Sequence, residues 1–176
     1  GIPAGLQDRV IQVYEGLVYM DFERERMARQ GYGLYEPIDP ALLPPLYIAY
    51  DPDRSETSDK VHSQLRGLFE KGDPQVVQGM ATFADLAAET RDLLLAGRGA
   101  EIGALMDRNY DLRATLNPIS EENQRMIAAA RGAGASAKFA GSGGAIIGTY
   151  KDEPGFEKLG QALSAIGCQV IKPESA

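Results

Sequence analysis

At Gly134 the spacing of apolar residues changes period, and that change dictates what the rest of the chain can form. Upstream, apolar residues recur at three- and four-residue intervals, the mark of amphipathic helices; downstream they gather in short runs at 136–140 and 145–150. Between those runs stands Gly141-Ser142-Gly143-Gly144, which predicts a hairpin-like pair of strands around a glycine-rich turn. Pro154 at a helix start, Phe156, Leu159, Leu163 and Ile166 on one face, and Gly167 just past the end predict a final helix leading into a strand over 168–171.

The upstream part supplies one strand and four helices of this layer. Residues 46–51, Leu-Tyr-Ile-Ala-Tyr-Asp, form a short apolar run ended by Pro52 and read as a buried strand. Ser55 to Ser58 offer N-caps for a helix with Val61, Leu65, Leu68 and Phe69 on one face, closed by Gly72. Asp73 followed by Pro74 opens a second helix, with Val76, Met80, Phe83, Ala84 and Ala87 as its apolar stripe. Ile102, Leu105, Met106 and Tyr110 mark a third, and Ser120 with Glu121 and Glu122 caps a fourth that ends near Gly132. The order strand, helices, strand, strand, helix, strand predicts an α+β fold: a ferredoxin-like split βαβ layer with helices inserted in its first crossover.

Ahead of this lies a different stretch. Residues 7–14 predict a short helix, 17–22 a strand, and 23–29 are charged. Gly31, Gly33, Pro37, Pro40, Pro44 and Pro45 put so much backbone punctuation into 31–45 that an extended connector is expected there. The domain boundary is therefore drawn at 45, giving units 1–45 and 46–176.

A chain of 176 residues, 44% hydrophobic, can bury a core of its own. Its formal net charge of -7 repels nucleic-acid phosphates, and no run of Lys or Arg offsets it. No apolar run approaches the roughly 20 residues that cross a bilayer, and the lone Cys168 excludes an internal disulfide. Neither a membrane nor a nucleic acid is an expected partner, and the cytoplasm is the expected compartment. The start at Gly1-Ile2-Pro3-Ala4 lacks an initiator Met and any leader pattern, so a processed or truncated start is expected.

Two segments could carry chemistry. Glycines at 141, 143 and 144 let successive backbone N–H groups point the same way and approach a ligand closely, as cradling phosphate oxygens requires. The plain alternative is a glycine-rich hairpin turn. Gly5-Leu6-Gln7-Asp8-Arg9 places a carboxylate at the start of a helix and beside a cation, where it could orient a substrate hydroxyl or simply cap the helix. Residues 132–137, Gly-Ala-Gly-Ala-Ser-Ala, match the dinucleotide pattern G-x-G-x-x-A, but they follow a helix and enter a strand, the reverse of what that motif needs. His62 has no Cys or His at ligand spacing and reads as structural, so no metal site is expected within the chain. Arg108 and Arg113 could grip a substrate carboxylate but are explained equally by helix-face ion pairs.

Together these segments resemble the GHMP kinases, the family of galactokinase, homoserine kinase, mevalonate kinase and phosphomevalonate kinase. Ala137 to Ala145, with Lys138 before the glycines, is similar to the family's late glycine-rich signature. Gly5 to Arg9, followed by Tyr14-Glu15-Gly16-Leu17-Val18, resembles its catalytic-aspartate segment, and Met106 to Leu112 with Ser120 its Asn-containing helix. Within the family, residues 7–22 and 43–50 are most similar to glucuronokinase-like proteins.

The resemblance implies an ATP- and Mg²⁺-dependent transfer of the γ-phosphoryl group to the anomeric hydroxyl of a sugar or sugar acid such as glucuronate. Asp8 would face that hydroxyl, and Gly141, Ser142, Gly143 and Gly144 would contact phosphate, substrate or the family's phosphate loop. That loop, resembling Pro-x-x-x-Gly-Leu-Gly-Ser-Ser, does not occur in these 176 residues. The chain is therefore expected to be the C-terminal portion of a larger kinase, inactive alone and partnered by an N-terminal half, with 1–45 as the tail of the catalytic domain. The competing expectation is a ferredoxin-like module that binds a ligand or partner without catalysis.

Overall fold

The structure, a computed structural model, describes residues 5–53, 59–141 and 143–173, with only the backbone described over 59–64. The chain forms two compact units, one reaching to Leu42 and the other spanning Leu43–Pro173.

The first unit contains α1 (Leu6–Ile11), β1 (Leu17–Asp21), α2 (Arg24–Gln30) and β2 (Leu34–Ile38), followed by a 3₁₀ turn at Pro40–Leu42. β1 and β2 pair antiparallel, from Leu17 opposite Ile38 to Asp21 opposite Leu34. The expected featureless connector over 31–45 is thus corrected: its first half is a strand. Gly31 closes α2 in the left-handed region (φ 81°), and Gly33 lies so close to the Asp21 carbonyl that a side chain would not fit. Pro37 is tolerated because alternate N–H groups in a two-stranded ribbon point away from the partner strand. Tyr35 of β2 sits edge-on to Tyr14 and Phe22, with centroids 5.9 and 5.8 Å away. The charged residues 23–29 form α2 because the Glu23 carboxylate accepts from the N–H groups of Glu25 (2.7 Å) and Arg26 (2.8 Å). Those two backbone bonds hold its carboxyl below the ordinary glutamate value.

The second unit comprises β3 (Leu46–Tyr50), α3 (Asp59–Glu70), α4 (Pro74–Leu95), α5 (Ile102–Leu116), α6 (Glu121–Gly132), β4 (Lys138–Phe139), β5 (Ala145–Thr149), α7 (Glu153–Ser164) and β6 (Gln169–Ile171). Its strands lie in the order β4-β5-β3-β6, each neighbour antiparallel. That is the split βαβ, ferredoxin-like layer, with α3–α6 in the first crossover and α7 in the second. β3 and β5 alternate buried and half-buried residues, so one face turns to the helices. Tyr47, Ala49 and Ile146 meet Tyr110, Met126, Ile127, Ala130, Leu159 and Leu163 in the core. The two leucines of α7, both fully buried, stabilise the fold by roughly 1.5–3 kcal/mol each.

Several helix signals act as expected. The Asp73 carboxylate accepts from Gln75 and Val76 N–H, both at 3.1 Å, ahead of Pro74, and Ser120 Oγ accepts from Asn123 N–H at 3.4 Å. The stripe of α4 differs from expectation: Val76, Gly79, Leu86 and Leu94 are buried while Ala84 and Ala87 are exposed. Gly79 sets this register, because a Cβ there would stand 2.7 Å from Leu116 Cδ1 of α5. Phe69 and Ile166, expected on buried faces, are exposed. The candidate caps at 55–58 lie outside the described residues, as do the side chains of Val61 and His62. The G-x-G-x-x-A stretch turns at Gly134 (φ 90°) from α6 into the sheet and opens no helix. Among the described residues no helix is long and apolar enough to cross a membrane.

Candidate functional site

β4 and β5 form the hairpin, pairing Lys138 with Ile147 and Phe139 with Ile146. Ala140 N–H donates to the Ala145 carbonyl (3.0 Å), leaving 141–144 as the turn. Ser142 lies outside the described residues. Gly144 adopts φ 73°, a left-handed conformation that a side chain disfavours.

The turn is tethered by three elements of the same unit. Gly144 N–H donates to Asn123 Oδ1 of α6 at 3.0 Å. The Gly144 carbonyl accepts from Asp51 N–H, just beyond β3, at 3.1 Å. On the other limb, Arg113 Nη1 of α5 donates to the Gly141 carbonyl at 3.0 Å, and its guanidinium lies over the Phe139 ring, 4.8 Å from the centroid. A Cβ on Gly141 would meet nothing within 4 Å. Nothing described in the chain demands glycine there. The N–H of Gly144 already serves Asn123.

Beneath the turn, Gly144, Asn123, Asp51, Met126 and Cys168 contribute to a cavity of about 330 Å³. Asn123 is buried, at N3 of α6 and on the same stripe as Met126, Ile127 and Ala130. Sequence reading passed over it. A polar side chain at the buried spacing of an amphipathic helix was the available signal, since buried amides are kept only where they bond.

The base of the hairpin is held by a charged node. Asp107 Oδ1 accepts from Ala137 N–H (2.8 Å) and from Arg131 Nε (2.9 Å). Arg131 also donates to the Asp107 carbonyl and to Asp111 Oδ1. Burial opposes the charge on Arg131, but the two carboxylates more than offset it, so its pKa is raised. Lys138 is half-buried, and its Nζ donates to the Phe139 carbonyl at 2.8 Å. Burial, reinforced by the charge of Arg113, holds its ammonium below the ordinary lysine value. Lys138 therefore belongs to the hairpin's own framework.

Asp8 belongs to the first unit. It occupies the N3 position of α1, and its Oδ2 accepts from Gly5 N–H at 2.9 Å, so its carboxylate makes the capping contact left open by the sequence. The structure thus joins Gly141, Gly143 and Gly144 in one turn and places Asp8 in a separate unit. Arg108 pairs with Glu89 on the surface at 3.3 Å. Among the described residues no cluster of three or more His, Cys, Asp or Glu side chains is placed to hold a metal ion.

Residues 90–167 match the family described as GHMP kinases C terminal. Over 163 residues the chain is 45% identical to the probable glucuronokinase 2 of Arabidopsis thaliana, covering 90% of this chain and 44% of that protein. It is 42% identical over 162 residues to glucuronokinase 1 of the same plant, with the same coverage. The chain thus spans less than half the length of these relatives. The crystal structure of L. major mevalonate kinase with R-mevalonate superposes with a TM-score of 0.76 at 18% identity, covering 99% of this chain and 55% of that one. Such a likeness at low identity speaks for the fold alone. The fold and the sequence similarity agree: residues 90–167 carry the C-terminal family domain of the GHMP kinases.

Proposed function

We propose that this chain is the C-terminal portion of an ATP-dependent sugar-acid kinase that phosphorylates the anomeric hydroxyl of glucuronate. The 45% identity to a probable glucuronokinase over 163 residues carries the reading. In it, residues 1–45 are the tail of the catalytic domain with its connector, and 46–176 are the C-terminal domain. The cytoplasm is the proposed compartment.

Phosphoryl transfer needs positioning and charge stabilisation more than covalent chemistry, because negative charge spreads over the transferred group in the transition state. ATP supplies that group, and Mg²⁺ is expected with it; the described residues offer Mg²⁺ no ligand cluster of their own. Asp8 is assigned to the acceptor hydroxyl: its carboxylate orients the O–H and takes the proton as the oxygen attacks. To do so it exchanges its bond to Gly5 N–H, which is solvent-exposed, for one to substrate. Gly141, Ser142 and Gly143 are assigned to backbone and hydroxyl contacts with phosphate or with the family's phosphate loop. Gly144 shapes the turn, its own N–H being engaged by Asn123.

The test is phosphorylation by this chain joined to the N-terminal half that the relatives' length implies. With MgATP and glucuronate, the 1-phosphate is expected. Asp8→Asn should lower kcat about 100- to 10,000-fold. Unchanged turnover in that variant removes Asp8 from the mechanism, turnover of another sugar moves the acceptor, and no turnover with any sugar returns the chain to a non-catalytic role.

A further inference from the structure

Asn123 is the only residue among the contacts described for the turn that uses a side chain to hold Gly144, and it does so from inside the core. Its relative exposure is 4%, whereas its neighbours Glu121 and Glu122 in the first turn of α6 are outside the core. A carboxylate would suit that helix position, since the N-terminal dipole favours negative charge, yet the buried position carries a neutral amide. The amide oxygen meets Gly144 N–H at 3.0 Å, while the Gly144 carbonyl is taken by Asp51 N–H at 3.1 Å. Gly144 is therefore held on both faces of its peptide neighbourhood in a left-handed conformation (φ 73°). A glycine turn without such tethers would sample many conformations, and each would have to be given up on binding phosphate.

We propose that Asn123 is a positioning residue for phosphoryl transfer, acting through Gly144 to preset the glycine turn before substrate arrives. This rests on the kinase reading above. It makes no contact with substrate a requirement for Asn123; the hydrogen bond to Gly144 N–H carries the effect. Loss of the acceptor leaves the hairpin paired through Ala140 and Ala145, and the Arg113 tether to Gly141 intact. The turn then keeps its ends and loses its shape.

The test uses the full-length enzyme with kcat and KM measured separately for ATP and for the sugar acid, beside thermal melts. Asn123→Ala should lower kcat at least ten-fold, with KM for the sugar acid within about two-fold of wild type. Asn123→Asp, which restores an acceptor for Gly144 N–H, should recover most of that kcat. Asp73→Ala removes the cap of α4, which has no described contact with the turn; it should lower the melting temperature and leave kcat unchanged. If Asn123→Ala keeps wild-type kcat, or if Asp73→Ala loses kcat in proportion to its lost stability, the positioning role is overturned and Asn123 is structural. Failure of the wild-type enzyme to phosphorylate any sugar would instead overturn the kinase reading and this inference with it.

Discussion

Gly148 of β5 faces the Ser136 carbonyl so closely that no Cβ fits between them; a Cβ there would also stand 2.7 Å from Tyr47 Cε1. The same Ser136 carbonyl accepts a hydrogen bond from the buried Tyr47 hydroxyl at 2.8 Å. On its other side Ser136 bonds Thr149 three ways: Ser136 N–H donates to the Thr149 carbonyl, Thr149 N–H donates to Ser136 Oγ, and the two hydroxyls bond each other. The entry to β4 is thus locked to the exit of β5 before the hairpin reaches its glycine turn.

Gly148→Ala should accordingly force β4 away from β5 and break the Tyr47 bond. Overpacking of this kind costs typically about 1–3 kcal/mol, and the lost buried bond adds to it. Chemical denaturation should show a lower midpoint with an unchanged slope; a midpoint equal to wild type would mean that the two strands can part without cost.

The node of Asp107 and Arg131 gives a second expectation. Each partner bonds the other, and Asp107 also holds Ala137 N–H, so the two should not act independently. In a double-mutant cycle with Asp107→Asn and Arg131→Met, the coupling should fall at about 0.5–3 kcal/mol by urea unfolding. Strict additivity would show that Arg131 stabilises independently of the Asp107 carboxylate, through Asp111 and its packing over the Tyr110 ring, 5.1 Å away.

Lys138 offers a pH test. Burial, then the charge of Arg113, lowers its pKa in the folded chain below the ordinary value of 10.5. The unfolded chain consequently holds the proton more tightly, so protonation of Lys138 costs stability at neutral pH. That cost fades as pH rises from the folded pKa toward 10.5. Lys138→Met should therefore gain on wild type at pH 7 and lose that advantage at high pH, as read from paired denaturation curves. A difference independent of pH would show that Lys138 titrates alike in both states.

Much of the fold is written in local chemistry. Asp73-Pro74 opens α4, Ser120 with two glutamates opens α6, Pro154 opens α7, and the run 145–150 marks β5, because caps and periodicity act over a few residues. Where local signals misled, the cause was a distant partner. The prolines and glycines of 31–45 argue against regular structure until β1 is alongside to pair with β2. The stripe of α4 runs through Gly79 because Leu116 of α5 needs that space.

The candidate site divides in the same way. Glycine spacing alone marks the turn and motivates the phosphate contacts proposed for it, since freedom at positive φ and close approach are properties of the residue itself. Which N–H is already engaged, which carbonyl is held by Arg113, and why a buried Asn123 stands among apolar neighbours are matters of residues far apart in the chain. Gly144 and Asn123 are separated by 21 positions and share one hydrogen bond. No local pattern encodes that pairing, because it exists only once α6 has packed against the sheet.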